Sequence, residues 1–141
     1  MTLPPDWTLL GARGGLPEVE LHIDIRWLLE RQAEVLPKQP EVWDFSNLVA
    51  AVARHRVNTP QVGARVDNAW RAAALMHAVI RLRPLPARNA LYGAAIVVAY
   101  MNAAGEAIDP PYGALIDLAR DIDAGRADGY DAADRIRSWR V

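Results

Sequence analysis

The groups best suited to chemistry in this chain gather in one short stretch, residues 81–89, reading RLRPLPARN. Arg81, Arg83 and Arg88 surround Pro84 and Pro86, and Asn89 opens the apolar run that follows. A guanidinium is a planar fork of N–H donors that matches phosphate and carboxylate, and it stays protonated at any working pH. The chemistry such a loop can offer is anion binding and charge neutralisation. An asparagine at a helix start can cap it and leave the first amides, with the positive end of the dipole, facing a bound anion. Arg83, Arg88 and Asn89 are therefore the candidate anion- or nucleotide-binding residues. Their plain alternative is a solvated turn that two prolines shape between two helices.

Other reactive side chains are scattered. His22, His55 and His77 lie far apart with no carboxylate at metal-ligand spacing, so no metal site is expected. His77 sits on the helix that leads into the arginine loop, which makes it, with Arg83 and Arg88, a candidate for catalysis; a structural histidine is its alternative. The aspartates at 121, 123, 128, 131 and 134 do not follow the order of a calcium loop and read as helix caps and a solvated face. Trp27, Trp43, Trp70 and Trp139 suit core and rim positions, and Trp7 suits docking on a partner or back on the domain.

Periodicity supplies the elements that must position these groups. Residues 1–21 are punctuated by Pro4, Pro5, Gly11, Gly14, Gly15 and Pro17 and read as an irregular extension. Val19, Leu21 and Ile23 alternate with Glu20 and His22, as in a short strand. Asp24 caps a helix over 25–36 that Pro37 ends, and Asp44 or Ser46 caps a second over 47–55. Residues 38–44 read as a loop and 56–66 as a loop or small hairpin. Apolar spacing predicts a strong helix over 67–82, stopped by Pro84 and Pro86, which lack the amide a helix interior needs. Residues 89–103 are apolar nearly all round, which predicts a helix in the middle of a bundle, ended by Gly105. Two more helices fit 114–125 and 129–139. The fold class is all-α, a compact bundle of about six helices over 22–141.

Composition narrows the function classes. The 141 residues suit one domain, 52% hydrophobic and 23% charged. Sixteen basic against seventeen acidic residues give a formal net charge of -1, which argues against bulk nucleic-acid binding. Cysteine is absent, which excludes disulfides, thiolate metal sites and cysteine nucleophiles. No basic region leads into an apolar signal core, and the longest uncharged stretch, between Arg88 and Glu106, is too short and polar to span a bilayer. A cytoplasmic location and no membrane partner are the expectations.

The order of these elements and the loop between the two strongest helices resemble the Fic/Doc family, the death-on-curing toxins and their adenylyl-transferring relatives. That family carries H-P-F-x-D/E-G-N-K/G-R between two central helices, and residues 83–91 here read RPLPARNAL. Upstream, RAAALMHAVIR is similar to the family's L-x-H-x-x-x-R helix, with His77 and Arg81 in place. Downstream, YGAAIVVAYMNAAG is similar to the helix that ends in a turn and glycine. DFSNLVAAVARHR resembles a further family segment through Asp44, Leu48, Ala51 and Arg54, so the likeness covers about residues 22–140. It implies a Fic/Doc-like fold, ATP and magnesium as cofactors, transfer of phosphate or AMP to a protein hydroxyl, and a small antitoxin as partner in a bacterial toxin–antitoxin module.

The loop departs from the family where the chemistry lies. Arg83 stands at the general-base histidine, Ala87 at the magnesium carboxylate, Arg88 at the glycine, and Ala90 and Leu91 at the phosphate-gripping lysine and arginine. Pro84 and Asn89 are kept, and Leu85 stands for phenylalanine. Arg83 cannot accept a hydroxyl proton. Loss of a general base costs about 10²–10⁴ in rate, and the metal and phosphate grips carry most of phosphoryl transfer. The first expectation is a Doc-like toxin-type protein whose transfer chemistry is lost or altered, a pseudoenzyme. The alternative is a repurposed Fic-fold enzyme or binding protein that takes an anionic small molecule or nucleotide through Arg83 and Arg88.

Overall fold

The computed structural model describes residues 20–36, 42, 44–57, 63 and 65–141. The extension before residue 20, Trp7, Trp43, and much of the loops expected over 38–44 and 56–66 lie outside the described residues. The rest is an all-α bundle. Its six helices are α1 (Ile25–Val35), α2 (Phe45–His55), α3 (Asn68–Leu82), α4 (Asn89–Ala103), α5 (Ala114–Asp123) and α6 (Gly129–Ser138).

Local chemistry sets the ends of these helices. Asp24, Asp44, Asp67 and Asp128 each accept a hydrogen bond from an amide of the first turn, the caps of α1, α2, α3 and α6. At α6 the Asp131 carboxylate reciprocates by accepting from the Asp128 amide. Gly105 takes a left-handed conformation (φ 78°) just past α4, and the next amide, of Glu106, returns to the Met101 carbonyl.

The centre of the bundle is α3. It packs on α2, α4, α5 and α6, and twelve of its 15 residues are buried. Alanines at 69, 72, 73, 74 and 78 keep it thin, so neighbours approach on several sides while Leu75, Met76, Val79 and Ile80 fill the gaps between them. The sequence pointed to a bundle around α3 and α4 together, and α4 packs on α1, α3 and α5, but it is less enclosed than α3. Its outer stripe, Leu91 and Val98, is 40% and 39% exposed. Both helices are rich in alanine, and periodicity alone does not say which one the others surround.

The α3–α4 contact is close because Gly93 has no side chain. A Cβ there would lie 2.7 Å from Cγ1 and 2.9 Å from Cδ1 of the buried Ile80. Gly93→Ala gains about 1 kcal/mol of helix propensity but overpacks the core at a cost of about 1–3 kcal/mol. The expected result is a net loss in chemical denaturation, partly recovered by adding Ile80→Val, which removes Cδ1. A variant as stable as the parent would show that α4 can shift away without cost.

Residues 20–24 are not a strand, although their burial alternates as expected, with Leu21 and Ile23 turned inward. The bonds a partner strand would make are made by side chains. The Leu21 amide donates to Asn68 Oδ1 (3.4 Å), and the Leu21 carbonyl accepts from the Tyr100 hydroxyl. The Ile23 amide donates to His55 Nε2 (3.0 Å), and the Ile23 carbonyl accepts from Arg56 Nη2 (2.9 Å). Helices α2, α3 and α4 and the turn after α2 thus supply the partners, and the segment lies down on the bundle without a sheet.

The start of α3 carries the most heavily charged buried cluster. Asp67, 4% exposed, receives a two-pronged bond from Arg137 of α6, at 2.7 and 2.9 Å. Asn68 donates to Glu106, which also accepts from Arg140, and Arg71 reaches Asn68 and Glu20. These bonds tie both ends of the described chain to one turn of helix.

Candidate anion-binding site

Residues 83–88 join α3 to α4 with two left-handed residues at the two ends. Arg83 closes α3 at φ 54°, its amide donating to the Val79 carbonyl (3.0 Å), and Pro84 cannot extend the ladder. Arg88 enters α4 at φ 63°. Both positions would suit glycine, and an L-residue there costs roughly 1–2 kcal/mol. Between them Leu85 is buried in the core and pins the loop.

Asn89 does not cap α4, as its position in sequence suggested. It is the first residue of the helix, and both ends of its amide are spent inside the loop. Its Oδ1 accepts from the Leu85 amide (3.0 Å) and its Nδ2 donates to the Leu85 carbonyl (2.8 Å). The chain turns one residue earlier than the spacing implied, which places Arg88 at the cap with no side-chain bond to the helix. Asn89 therefore shapes the loop from within, and it also lines the cleft that the loop forms. The first amide of α4 bonded to the backbone is that of Tyr92, to the Arg88 carbonyl. The amides of residues 89–91 have no hydrogen-bond partner among the described residues.

The result is a cleft of about 420 Å³ walled by Arg83 and residues 85–90 and closed on the far side by Asp123, the last residue of α5. Arg83 Nη2 donates to Asp123 Oδ1 at 2.8 Å. Arg88 is exposed and makes no ion pair among the described residues. Arg81, the third arginine, faces elsewhere: its Nη1 donates to the carbonyls of Asp123 (2.9 Å) and Ile122 (3.4 Å) and so caps the C-terminus of α5.

His77 does not line the cleft. It is half-buried on α3, and burial, followed by the neighbouring Arg81 charge, lowers its pKa below the ordinary imidazole value. Its other charged neighbours are Asp128 and Arg54. His22 and His55 meet edge to face at 5.7 Å, but both ring nitrogens of His55 are engaged, Nδ1 at the Val52 carbonyl and Nε2 at the Ile23 amide. Among the described residues no group of three or more histidines, aspartates or glutamates is placed to hold a metal ion.

The acidic stretch resolves into defined partners. Asp121 pairs with Arg126 and Arg135, Asp134 with Arg137, and Asp128 with Asp131 in the cap of α6. Asp123 is the residue that sequence reasoning missed. Its signal was an acidic side chain in the last turn of a helix, where the dipole disfavours it. Three of the tryptophans fall where expected. Trp70 stacks on Tyr130 at 5.0 Å with Arg54 over its ring, Trp27 meets Tyr100 and Arg31, and Trp139 is partly buried.

Chemically the cleft offers two guanidinium groups, the unpaired backbone amides of Asn89 and Ala90, and one carboxylate. It can hold a negatively charged group, and its single carboxylate, Asp123, is already paired with Arg83. No described helix is long and apolar enough to cross a membrane. Compared with protein-family models, curated proteins and solved structures, the chain has no match.

Proposed function

We propose that the chain is a Doc-like, toxin-type protein whose loop has exchanged catalysis for anion binding. The observation that carries this reading is the cleft itself. Arg83, Arg88 and the open amides at the start of α4 meet at one place, between the two helices where the resemblance puts the family's catalytic loop. Arg88 adds support: it stands where the family has glycine and holds the left-handed backbone that glycine adopts freely. The transfer reaction is not proposed, because the positions of the base and of the metal carboxylate hold Arg83 and Ala87, and His77 lies off the cleft. A small antitoxin is the partner this reading implies. The alternative, a repurposed Fic-fold protein for an anionic small molecule, uses the same cleft. Gene neighbourhood separates the two, an adjacent short antitoxin frame against a biosynthetic cluster.

Calorimetry with phosphate, pyrophosphate, ATP and small carboxylates tests the binding. Charged hydrogen bonds contribute about 1.5–3 kcal/mol each where water is excluded, and less in an open cleft. Arg88→Ala is expected to weaken binding, Arg83→Ala/Arg88→Ala to abolish it, and salt to weaken it throughout. Equal binding by wild type and double variant would leave the arginines as turn residues only. Labelled ATP with magnesium is expected to label neither the protein nor its targets, and labelling that survives Arg83→Ala would overturn the loss of chemistry.

A further inference from the structure

We propose that Asp123 is a tethered competitor for the cleft, a carboxylate that occupies Arg83 until an anion of higher charge displaces it. This deepens the reading of the cleft as an anion site and rests on it. Asp123 comes from a different helix, 40 residues from Arg83, yet lines the same cleft and meets that guanidinium at 2.8 Å. Its side chain is half exposed, so core burial does not hold it there. Arg81 does: by binding the carbonyls of Ile122 and Asp123 it fixes the end of α5 against the loop. The carboxylate does not serve α5 itself, since a negative charge in the last turn opposes the helix dipole. Its evident contact is the one with the cleft.

The arrangement selects ligands by charge. A tethered group acts at an effective concentration in the millimolar range for a short connection. A free monocarboxylate makes the same bond to Arg83 that Asp123 makes, and gains nothing by replacing it. A ligand that wins has to add contacts Asp123 does not make, to Arg88 and to the unpaired amides of Asn89 and Ala90. That describes a compact anion with two or more charges. Pyrophosphate fits it and acetate does not.

Titration calorimetry of the full chain with inorganic pyrophosphate and with acetate tests this, using wild type, Asp123→Asn, Arg83→Ala, Arg88→Ala and the double variant Arg83→Ala/Asp123→Asn. Exposed ion pairs of this kind correspond to roughly fivefold in affinity at most. Asp123→Asn is expected to tighten pyrophosphate by about that factor at low salt and to make acetate binding detectable. In the Arg83→Ala background the same change is expected to give less than about twofold. Raising the ionic strength should shrink the difference between wild type and Asp123→Asn. Far-UV circular dichroism should show unchanged helicity, because the substitution touches an exposed side chain. If Asp123→Asn binds pyrophosphate no better than wild type while Arg88→Ala still weakens it, the cleft stands and the competitor role falls. If pyrophosphate binding ignores both arginines, or is absent from every variant, both readings fall.

Discussion

Asp67→Ala is expected to lower the free energy of unfolding by about 4 kcal/mol, a large part of the roughly 5–15 kcal/mol typical of a domain. Two losses combine. The substitution removes the cap on α3, where the Trp70 amide donates to Asp67 Oδ1 at 2.9 Å. It also strips Arg137 of the partner that justified its burial, since that side chain is only 14% exposed. Burial alone would raise the Asp67 carboxyl, but the Arg137 hydrogen bonds and the Trp70 amide outweigh it and hold the pKa below the usual carboxylate value. Asp67→Asn keeps an oxygen to accept from Trp70 while dropping the charge, and should cost roughly half as much. Urea unfolding followed by tryptophan fluorescence reads both, as shifts of the midpoint at constant slope. A change under about 1 kcal/mol for Asp67→Ala would mean that Asp134 and water satisfy Arg137 unaided.

The second large effect is acid sensitivity above the carboxylate range. Burial is the main reason that the pKa of His55 falls from 6.5 to about 4, with the bond to Val52 pulling the other way and the charges of His22, Arg56 and Arg71 adding to the fall. The geometry agrees, because Nε2 accepts from the Ile23 amide and a proton there would oppose another donor. The sign follows from linkage. Between pH 6.5 and 4 the unfolded chain binds a proton at this residue and the folded chain does not, so stability falls as pH falls. The loss is about 3 kcal/mol by pH 4, at 1.36 kcal/mol per pKa unit. His77, also lowered, adds to the loss in the same direction. Asp67 works further down the scale. Its contribution is present above the ordinary carboxylate value and is lost as pH falls through its lowered folded value. His55→Gln supplies an amide oxygen for Ile23 without a titrating ring, and is expected to flatten most of the slope between pH 6.5 and 4 in denaturant titrations. An unchanged slope in that variant would place the acid sensitivity elsewhere.

The helices were legible because their signals are local. Asp24, Asp44, Asp67 and Asp128 each sit directly before an apolar period, and Pro84 and Gly105 mark stops that no tertiary contact is needed to explain. The loop was legible as a cationic turn for the same reason, and the structure brings Arg83 and Arg88 to one cleft. Asn89 was misjudged by a single residue of register. A cap and a first helical residue have the same neighbours in sequence, and only the left-handed turn at Arg88 tells them apart. Asp123 was invisible as a site residue because its partner is 40 positions away and its surroundings read as an acidic face. The segment at 20–24 gave a true alternation but no hint of what satisfies its backbone, since Asn68, Tyr100, His55 and Arg56 are separated from it by 32 to 79 positions.

That last arrangement bears on how the chain meets other chains. An open strand edge is a row of unpaired amides and carbonyls, and any extended polypeptide can add to it. At Leu21 and Ile23 those groups are already taken by side chains rooted in three helices and the turn that follows α2. Among the described residues the strand-like pairing is a single bridge, Ile108 with Arg140. A second polypeptide thus finds the backbone groups of Leu21 and Ile23 already taken. The cover on that edge comes from four side chains, and losing any one of them would begin to expose backbone that a neighbouring chain could pair with.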